Sequence, residues 1–547
     1  LASEDKEWKS ITDKKAIAIL PVHAIPRNAV FVPTKWAYRV KSDGSLKSRL
    51  CILGNKMPAG EFETSAPTPR MSSIRMLLAK CIQDQSEFRI LDLSCAFLNA
   101  PAQGLTYLRL PPGRNKPGFA ALLLQNLYGS RHGPRAWHNM LHNWFLTHDW
   151  TVNPHDPCVY TRMRKGIDAA PMHCCVHVDD IGYTGTTAQV EEFEKEITKD
   201  FKVDLLGHLG VDATAKRYLG MEINRFDDRF EVHNTTLIDQ LIKDTEEYNI
   251  NKESVPMRDL RLDHSECPKS EAERAEMRGL KYRTILGQIG WIFLVSRPDL
   301  GWAYKECSRF ASNYGKAHWL ALLRIVGYLK KTRDTHKLVI SRGNGTTLSA
   351  CCDADWNGET DRHLSTTGWI VFFGDSPISW CSRTQRCVTR STCESEYVSL
   401  ASLTQEVIYL QLLAASLFRP TPCVTIFAKE GQVGNPGCVR RWREYIQAYP
   451  EEKALLNSDS ANATANAKSP PGWLAEALRH VKTAFHFAKQ FFSEDLLKLE
   501  HKRGDVLCAD ILTKGWGAKS NSGADTQKSA VFHKHAMQCL GRGNTPA

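Results

Sequence analysis

The segment His173-Cys-Cys-Val-His-Val-Asp-Asp-Ile-Gly-Tyr183 carries two aspartates side by side, Asp179 and Asp180, after an apolar run. It predicts a β-strand over residues 172–178 that reaches a hairpin turn at the two aspartates. A third carboxylate, Asp92, lies near the end of another apolar run. Because neighbouring carboxylates repel one another, their collection at strand ends predicts a site for divalent cations. For each aspartate alone, a polar cap of a turn or strand end is the alternative.

The length and composition of the chain indicate a folded protein of several domains. At ~100–200 residues per domain, the 547 residues correspond to roughly three or four domains, and a hydrophobic fraction of 42% is ample for their cores. The 71 Lys and Arg residues exceed the 60 Asp and Glu residues by 11. This excess fits a polyanionic partner, and it also fits an ordinary basic soluble protein.

The seventeen cysteines contain no C-x-x-C spacing, so neither zinc sites nor a disulfide scaffold are indicated. Reduced, intracellular thiols are the favoured interpretation. No apolar run approaches the ~18 residues that span a bilayer, and the N-terminus lacks a signal pattern, so no membrane partner is expected. The chain begins at Leu1, which is compatible with excision from a polyprotein or with an incomplete reading frame.

The first part of the chain predicts an α+β fold with helices under an antiparallel sheet. Between residues 29 and 53, short β-rich runs alternate with turns, which predicts a small antiparallel sheet whose basic residues could face phosphates or merely water. Further along, the spacing of apolar residues predicts helices over residues 71–81, 135–148 and 188–201 and strands over residues 88–93, 158–160 and 172–178.

The second part is mostly helical and then returns to strands. Helices are predicted over residues 236–248, 271–295, 300–314 and 318–331, strands over 338–340, 347–352, 368–373 and 377–381, and a further helix over 393–416. A new domain is predicted to start near Asp353. The segment after Lys514 is rich in Gly, Ser, Asn and Lys, and its lack of periodicity predicts disorder.

Short motifs follow one another in a specific order along the chain. They are Lys35-Trp36, Arg49-Leu50, Ala66-Pro67, Leu91-Asp-Leu-Ser-Cys-Ala-Phe-Leu-Asn99, Leu127-Tyr-Gly129, Pro134-Arg-Ala-Trp137, Val178-Asp-Asp180, Tyr218-Leu-Gly-Met-Glu-Ile223, Tyr282-Arg283, Ser296-Arg-Pro-Asp299, Ser308-Arg-Phe310 and Ala317-His-Trp319. Together they closely resemble the reverse transcriptase of copia-type LTR retrotransposons, over nearly the whole chain. So many ordered matches are far more specific than an isolated Asp-Asp dipeptide.

The resemblance implies a right-hand polymerase with fingers, palm and thumb, an antiparallel palm sheet, a helical connection and a C-terminal RNase H-like α/β domain. Fingers and palm would occupy residues 1–230, and a mostly helical thumb and connection residues 231–340. The RNase H-like domain would occupy residues 341–515, with an insertion near residues 418–453. Residues 516–547 are expected to form a disordered tail.

For the polymerase centre, the resemblance implies that Asp92 and Asp179 bridge two Mg²⁺ ions while Asp180 supports the site, with Mn²⁺ as an alternative ion. One metal would lower the pKa of the primer 3′-hydroxyl, and both would stabilise charge during an in-line displacement at the α-phosphate. No protein nucleophile is needed for this chemistry.

Other residues are implied to bind the nucleotide and the primer. Phe97 falls where the family places the aromatic ring under the incoming sugar, which would exclude a 2′-hydroxyl and select deoxynucleotides; a core phenylalanine is the alternative. Arg49, assisted by Lys47, is similar in placement to the residue that grips the triphosphate, a task suited to a planar guanidinium. Leu219 and Gly220 resemble the primer grip.

Two residues depart from the family pattern. His177 stands two residues before the paired aspartates, where the family usually has Tyr or Phe. His132 stands where a Gln normally lies beneath the nucleotide. A histidine can still stack or donate a hydrogen bond, but its charge depends on pH near neutrality. These departures indicate divergence or decay and a weakened activity.

A second set of acids, Asp353, Glu396, Asp459 and Asp510, looks like the centre of the ribonuclease H domain of the same elements. A strand Asp, a helix Glu, a strand-end Asp and a C-terminal Asp can converge on two Mg²⁺ ions that activate water against an RNA phosphodiester. The alternative is that these are scattered, solvated surface acids.

Two basic segments in this region leave their roles open. The cluster Arg440-Arg-Trp-Arg443 could stack on nucleic acid, or it could belong to a surface helix with one buried Trp. The segment Arg479-His480-Val-Lys482 resembles the family's basic stretch near the scissile strand. His480 is therefore assigned a role in substrate contact or proton relay, with an incidental histidine on a capped helix as the alternative.

The sequence thus predicts an RNA-directed DNA polymerase with ribonuclease H activity that copies retrotransposon RNA into DNA. Its partners would be an RNA template, a DNA primer, the RNA–DNA hybrid and deoxynucleoside triphosphates, in the cytoplasm, a virus-like particle or the nucleus. Binding to a basic groove would depend strongly on salt. The rivals are a catalytically impaired remnant that only binds nucleic acid or a partner, and a stand-alone nuclease. Primer identity and oligomeric state stay open.

Overall fold

The computed structural model describes residues 2–40, 44–58, 63–164, 167–211, 214–258, 261–343, 347–359, 361–418, 436–469, 482–503, 507–516 and 525–541. The chain forms two compact units. The first consists of Leu1–Pro69 and Arg89–His208, and the second of Arg70–Phe88 and Leu209–Ala547. The predicted boundaries after residues 230 and 340 both fall inside the second unit, so this finer division stays a prediction.

Twenty-one strands are described. They are β1 (Ile17–Pro21), β2 (Phe31–Val32), β3 (Thr34–Val40), β4 (Leu46–Ile52), β5 (Glu87–Leu93), β6 (Tyr107–Leu108), β7 (Phe119–Leu123), β8 (Trp150–Val152), β9 (Val159–Arg162), β10 (Met172–His177), β11 (Asp180–Gly185), β12 (Val203–His208), β13 (Lys216–Tyr218), β14 (Met221–Arg225), β15 (Arg229–His233), β16 (Leu338–Ser341), β17 (Leu348–Glu359), β18 (Leu364–Phe373), β19 (Ser376–Thr384), β20 (Leu455–Ser458) and β21 (Lys498–His501).

Fifteen α-helices accompany them in the described ranges. They are α1 (Ala2–Asp13), α2 (Met71–Asp84), α3 (Ala96–Asn99), α4 (Gly133–Thr147), α5 (Thr187–Asp200), α6 (Thr235–Asp244), α7 (Glu271–Met277), α8 (Tyr282–Val295), α9 (Gly301–Ser308), α10 (Lys316–Thr332), α11 (Thr392–Phe418), α12 (Pro436–Ala448), α13 (Ala461–Lys468), α14 (Lys482–Ser493) and α15 (Asp525–Cys539).

The first unit is built around a six-stranded sheet in the order β12-β5-β11-β10-β9-β8. Helices α4 and α5 share one apolar core with it, and Val190, Phe193 and Ile197 of α5 follow the spacing of one helical face. A capping box formed by Thr186 and Gln189 starts α5. The strand order places the end of β5 beside the β10–β11 hairpin, as the sequence predicted for Asp92 and the aspartate pair.

Two smaller sheets complete the first unit. Strands β3 and β4 form an antiparallel hairpin in which Ala37 pairs with Arg49. Strands β1, β7, β6 and β2 form a four-stranded sheet. This confirms the antiparallel pairing predicted for the runs 36–40 and 49–53 and fixes Arg49 on β4, whereas β2, within the first predicted run, pairs parallel with β6.

The second unit contains two further sheets. One has the order β13-β14-β15-β16, and the other has the order β19-β18-β17-β20-β21. In the five-stranded sheet, β17 pairs antiparallel with β18 and parallel with β20, so the sheet is mixed. Helix α11 packs on β17 and β18. This arrangement places an acid on β17, one on α11 and one after β20 at neighbouring positions.

Several predicted elements differ from the structure. The helix predicted over residues 271–295 is divided into α7 and α8, and Gly279 lies in the break, where glycine disfavours helix. The segment predicted over residues 300–314 is helical only over Gly301–Ser308. Helix α2 lies in the second unit, where its buried residues pack against α11, β16 and β19.

The prediction of a disordered tail over residues 516–547 is wrong for residues 525–541. Helix α15 forms there, and Phe532, Ala536, Cys539 and Leu540 are buried. The backbone N–H of Val339 in β16 donates a hydrogen bond of 2.8 Å to the carbonyl of Leu540. Four apolar residues at helical spacing are enough to dock the helix, although the segment is polar on average.

The predicted insertion is only partly within the described ranges, because residues 419–435 lie outside them. In α12, Trp442 is buried, and its Nε1 donates to Gln411 Oε1 at 3.1 Å. Arg443 pairs with Glu494 at 3.2 Å. The alternative of a helix with one buried Trp is therefore confirmed, and Trp442 is not a stacking platform for nucleic acid.

In the part of the chain that the structure describes, one helix, α11, is long and apolar enough to cross a membrane by length and composition alone. Of its most apolar 18-residue window, 72% is buried inside the protein. Packing against β17, β18 and α14 accounts for this apolar composition, as in the core helix of a folded domain.

Candidate active sites

The three aspartates of the first candidate site meet at the end of the six-stranded sheet. Asp92 is the penultimate residue of β5, Asp180 begins β11, and Asp179 lies in the turn between β10 and β11. The backbone N–H of Leu93 donates to the carbonyl of Asp179 at 2.8 Å, which fixes β5 to the turn. The structure thus brings together the acids that the sequence singled out.

These carboxylates act on one another electrostatically. Burial and the charges of Asp179 and Asp204 raise the pKa of Asp92 above its usual range. Burial, with the charges of Asp179 and Asp92, raises the pKa of Asp180 to about 6. The half-buried cluster therefore holds more negative charge than its surroundings neutralise, which is the electrostatic condition of a cation site.

Asp204 is a fourth acid that the sequence analysis missed. It lies on β12 directly opposite Asp92 on β5, and it accepts a hydrogen bond of 2.9 Å from Ser94 Oγ. Directly opposed residues project from the same face of a sheet. Its proximity follows only from the pairing of β12 with β5, which no local motif signals.

The turn that carries Asp179 is fixed from below by Trp137. The Trp137 side chain is 1% exposed, and its Nε1 donates to the carbonyl of Val178 at 2.7 Å. Val178 itself has a φ of 59°, the left-handed conformation that a β-branched residue rarely adopts. The indole of α4 therefore holds an unfavourable turn immediately before the aspartate pair.

Basic and aromatic residues lie near these acids in the first unit. The guanidinium of Arg49 stacks over the ring of Tyr128 at 4.4 Å, and Phe97 meets that ring edge-on with centroids 5.5 Å apart. Arg49 Nε is buried and has no hydrogen-bond partner in the described residues. Arg49 and Lys47 are close enough to lower the pKa of Asp92, against the larger effect of burial.

Tyr128 links Arg49 to Phe97, and the sequence analysis named it only as part of a motif. Burial raises the pKa of Tyr128 to about 12, against the influence of Arg49. The adjacent Gly129 has a φ of +83°, and a Cβ there would lie 2.2 Å from the carbonyl oxygen of Ile52. Only glycine allows β4 and this turn to approach so closely.

The two histidines that depart from the family pattern differ in their surroundings. His132 is 6% exposed and precedes α4, and burial with the charge of Arg131 lowers its pKa. His177 is half-buried and pairs with Asp180 in the β10–β11 ladder. A nucleotide contact by His132 stays a prediction, since very little of the side chain reaches the surface.

The predicted primer-binding residues lie in the second unit. Leu219 and Gly220 form the turn between β13 and β14, with φ values of 49° and 73°. Asn234 Nδ2 donates to the carbonyl of Gly220 at 3.0 Å. The two residues thus form a tight turn that Asn234 anchors, while primer binding stays a prediction. His480 lies outside the described residues.

The second candidate site is a buried carboxylate centre on the five-stranded sheet. Asp353 lies on β17, Glu396 on α11, and Asp459 directly after β20. Each of the three offers one carboxylate oxygen, and these three oxygens all lie within 4.8 Å of one another. Among the described residues, no other group of three acids, histidines or cysteines comes as close. Asp510 lies in the short 3-10 helix Cys508–Leu512.

Burial is the main influence on the hydrogen bonding and protonation of these acids. Glu396 Oε1 accepts a hydrogen bond of 3.2 Å from the N–H of Ala354, while Oε2 is buried and has no hydrogen-bond partner within the described ranges. Burial and the charges of Asp353 and Asp459 raise the pKa of Glu396 well above its usual range. Burial and the charge of Asp353 also raise the pKa of Asp510, to about 7.

Two residues that follow Asp510 complete the centre. Thr513 Oγ1 donates to Asp353 Oδ2, and Lys514 Nζ lies 3.3 Å from Asp353 Oδ2 and 3.4 Å from Asp510 Oδ1. Neither residue was assigned a role from the sequence. Their positions three and four residues after Asp510, a predicted catalytic acid, were the available signal.

Comparison with known proteins finds one family match and several similar polyproteins. Residues 19–259 match the family described as reverse transcriptase (RNA-dependent DNA polymerase). The chain is 26% identical over 532 residues to the retrovirus-related Pol polyprotein from transposon RE2 of Arabidopsis thaliana, covering 94% of this chain and 33% of that polyprotein. It is 25% identical over 504 residues to the Pol polyprotein from transposon TNT 1-94 of Nicotiana tabacum, covering 90% of this chain and 35% of that one.

A solved structure is also similar. The foamy viral protease-reverse transcriptase dRH in complex with double-stranded DNA aligns with a TM-score of 0.48 and 12% identity, over 92% of this chain and 69% of that chain. The matched family region contains the sheet that carries Asp92, Asp179 and Asp180. Residues 19–259 are therefore a reverse transcriptase domain, and over most of its length the chain is similar to Pol polyproteins of copia-type transposons. It spans about a third of the length of those polyproteins.

Proposed function

We propose that this chain copies RNA into DNA by two-metal phosphoryl transfer at the Asp92, Asp179 and Asp180 centre. The observation that carries the proposal is the junction of β5 with the β10–β11 turn, which gathers three acids at one sheet end in a reverse transcriptase domain. Carboxylate oxygens are the ligands that Mg²⁺ prefers, so the donor set fits the ion. Mn²⁺ accepts the same ligands.

The residues around these acids have separable tasks in this proposal. Asp92 and Asp179 would hold the metal ions, and Asp180 would supply further negative charge. Bound divalent cations would activate the primer 3′-hydroxyl and stabilise the charge that develops at the α-phosphate. In this proposal the acids position the metal ions and the basic side chains neutralise the triphosphate. No side chain acts as a nucleophile.

Arg49, Lys47 and Phe97 would bind the incoming deoxynucleoside triphosphate. The buried Nε of Arg49 lacks a partner within the described ranges. Arg49 as a whole is half-buried, so the exposed part of its guanidinium side chain would meet a phosphate oxygen. Stacking on Tyr128 fixes the plane of the guanidinium, which favours bidentate contact with a phosphate. Phe97, packed against the same ring, would form the floor under the sugar.

Primer extension tests the polymerase proposal. A DNA primer annealed to an RNA template should be extended in the presence of Mg²⁺ and deoxynucleoside triphosphates. Asp179→Asn should reduce the rate by about 100- to 1,000-fold, the scale of a lost electrostatic stabiliser in an active site. Asp13→Asn, at the exposed end of α1, is the matched control and should extend like the parent.

The result also decides between the enzyme and an impaired remnant. No extension by the parent, with retained binding of the primer–template, would favour the remnant that only binds nucleic acid. Equal extension by the parent and Asp179→Asn would show that the chemistry occurs elsewhere. Binding itself should weaken strongly as salt rises, because phosphate neutralisation releases counterions.

We further propose that the second centre cleaves the RNA strand of an RNA–DNA hybrid. The observation behind it is the mutual closeness of Asp353, Glu396 and Asp459, with the buried Glu396 Oε2 lacking a hydrogen-bond partner in the part of the chain described here. A buried carboxylate oxygen without a donor fits coordination to a cation. Bound Mg²⁺ would activate water, while the acids of the chain hold the geometry.

Hybrid degradation tests this second activity. With a labelled RNA strand annealed to DNA, Glu396→Gln should lower Mg²⁺-dependent cleavage by about 100- to 1,000-fold. Glu500→Gln, at an exposed position on β21, is the matched control. Undiminished cleavage in Glu396→Gln would remove the assigned centre.

A further inference from the structure

Lys514 places a positive charge inside the second carboxylate centre. It follows the 3-10 helix Cys508–Leu512, and its Nζ lies 3.3 Å from Asp353 Oδ2 and 3.4 Å from Asp510 Oδ1. No other Lys or Arg in the described ranges forms an ion pair with Asp353, Glu396, Asp459 or Asp510. The ammonium is therefore the cation that the chain itself supplies to this centre.

The partners of this ion pair differ in their exposure to solvent. The side chain of Asp353 is 1% exposed and that of Lys514 is 40% exposed. Water therefore cannot replace Lys514 as the partner of the buried Asp353 carboxylate, whereas the Lys514 side chain can still reach solvent.

The two halves of the centre are therefore unequal. Asp353, Glu396 and Asp459 approach one another within 4.8 Å, and the buried Glu396 Oε2 lacks a partner, so this half is prepared for one cation. The other half, between Asp353 and Asp510, already contacts the ammonium. A divalent cation entering there must displace Lys514 from both carboxylates.

We propose that Lys514 is a built-in counter-cation that holds Asp353 and Asp510 together in the metal-free protein and competes with the second of two divalent cations. This inference rests on the proposed metal-dependent nuclease centre. It makes cation binding sequential, with a stronger first site and a second site weakened by competition with the ammonium. Lys514 is a positioning residue in this scheme, since it acts through Asp353 and Asp510.

Metal binding is measured directly by calorimetric titration with Mn²⁺. The protein carries Asp92→Asn and Asp179→Asn throughout, so that the centre of the first unit does not contribute. In this background, Lys514→Gln should strengthen binding of the second Mn²⁺ by about tenfold or more, the scale of a close charge pair. Lys514→Arg keeps the charge and should stay near the background protein, as should Lys498→Gln at the exposed start of β21.

Two results would overturn the proposal. One is an unchanged or weakened second Mn²⁺ site in Lys514→Gln, and the other is equal strengthening in Lys514→Arg. If Lys514→Gln does not fold, amine acetylation of the background protein gives the answer by mass spectrometry. Acetylation of Lys514 should increase with Mn²⁺, because the ion releases the amine from its two carboxylates, and no increase would count against the proposal.

The outcome is separable from the fate of the nuclease proposal, because none of these measurements uses nucleic acid. A tighter second Mn²⁺ site without hybrid cleavage by the parent would keep the role of Lys514 and remove the nuclease function. Cleavage by the parent, with no change in Mn²⁺ binding in Lys514→Gln, would keep the nuclease function and remove the role of Lys514.

Discussion

The two carboxylate centres differ in burial and in how their charge is neutralised. In the first unit, Asp92, Asp179 and Asp180 are half-buried, and none of them has an ion pair within the described ranges. In the second unit, Asp353 and Asp510 are buried, and both pair with Lys514. The first centre is partly exposed to solvent, whereas the second has an internal cation.

The difference follows from the cost of burying charge. A half-exposed carboxylate retains part of its hydration, so its cluster can persist until an external cation binds. A buried carboxylate loses that hydration and must be protonated or paired within the protein. The second centre is therefore assembled before any metal binds, and the geometry of the first depends more on the sheet and on Trp137.

Substituting the central strand aspartate of each centre tests whether the two are independent. Asp92→Asn should reduce primer extension by about 100- to 1,000-fold while hybrid cleavage stays at the parent rate. Asp353→Asn should have the opposite effect. Both activities are measured on the same preparations. Loss of both activities in either variant would show that the two centres do not act independently.

Because the indole of Trp137 supports the turn of the first centre, its replacement should have an intermediate effect on primer extension. Trp137→Phe keeps an aromatic ring but removes the donor to the Val178 carbonyl, leaving a buried acceptor unpaired at a cost of about 1–3 kcal/mol. Extension should fall about tenfold, the kinetic equivalent of 1.4 kcal/mol, with hybrid cleavage unchanged.

Trp144→Phe is the matched control, because the Nε1 of Trp144 donates at the same distance of 2.7 Å to Asp200, away from the hairpin. Equal losses of extension in the two variants would indicate a general effect on the core.

Much of the first centre could be predicted from local sequence. The apolar run before Asp179 and the buried strand around Asp92 each signal a strand that ends in an acid, and the motif order indicates that they meet. Asp204 could not be found this way, because its proximity to Asp92 depends on which strand pairs with β5. Tyr128 was likewise missed, since its stacking on Arg49 joins residues far apart in the chain.

In the second centre, the acids were predicted but their neutralisation was not. Nothing in the spacing of Asp353 and Lys514 shows that they approach within 3.3 Å. The tail prediction was wrong for a related reason, because average polarity hid the few residues of α15 that are buried. Composition describes a segment on average, whereas docking depends on one face of it.

The raised pKa values of Asp180 and Asp510 predict that the stability of the metal-free protein depends on pH. Asp180 and Asp510 have a pKa raised from 3.8 to about 6 and about 7, so the folded state favours their protonated forms. Their stabilising contribution is complete below 3.8 and is lost as pH rises through these values. In a chelator, the melting temperature should fall by a few °C over this range. Asp510→Asn should flatten the curve more than Asp180→Asn, and equal curves for all three proteins would contradict the assignment.

The smallest expected effect concerns the hydroxyl of Thr513, which donates to Asp353 and lies 3.1 Å from the Asp510 carbonyl. Thr513→Val keeps the shape and removes this donor, at a cost of about 1 kcal/mol, or about fivefold in hybrid cleavage. Thr464→Val is the matched control, because the buried Thr464 Oγ1 has no hydrogen-bond partner in the described residues. Primer extension should not change in either variant. Full hybrid cleavage in Thr513→Val would mean that the ion pairs of Lys514 suffice to hold Asp353, and the preassembly of the second centre would then depend on charge alone.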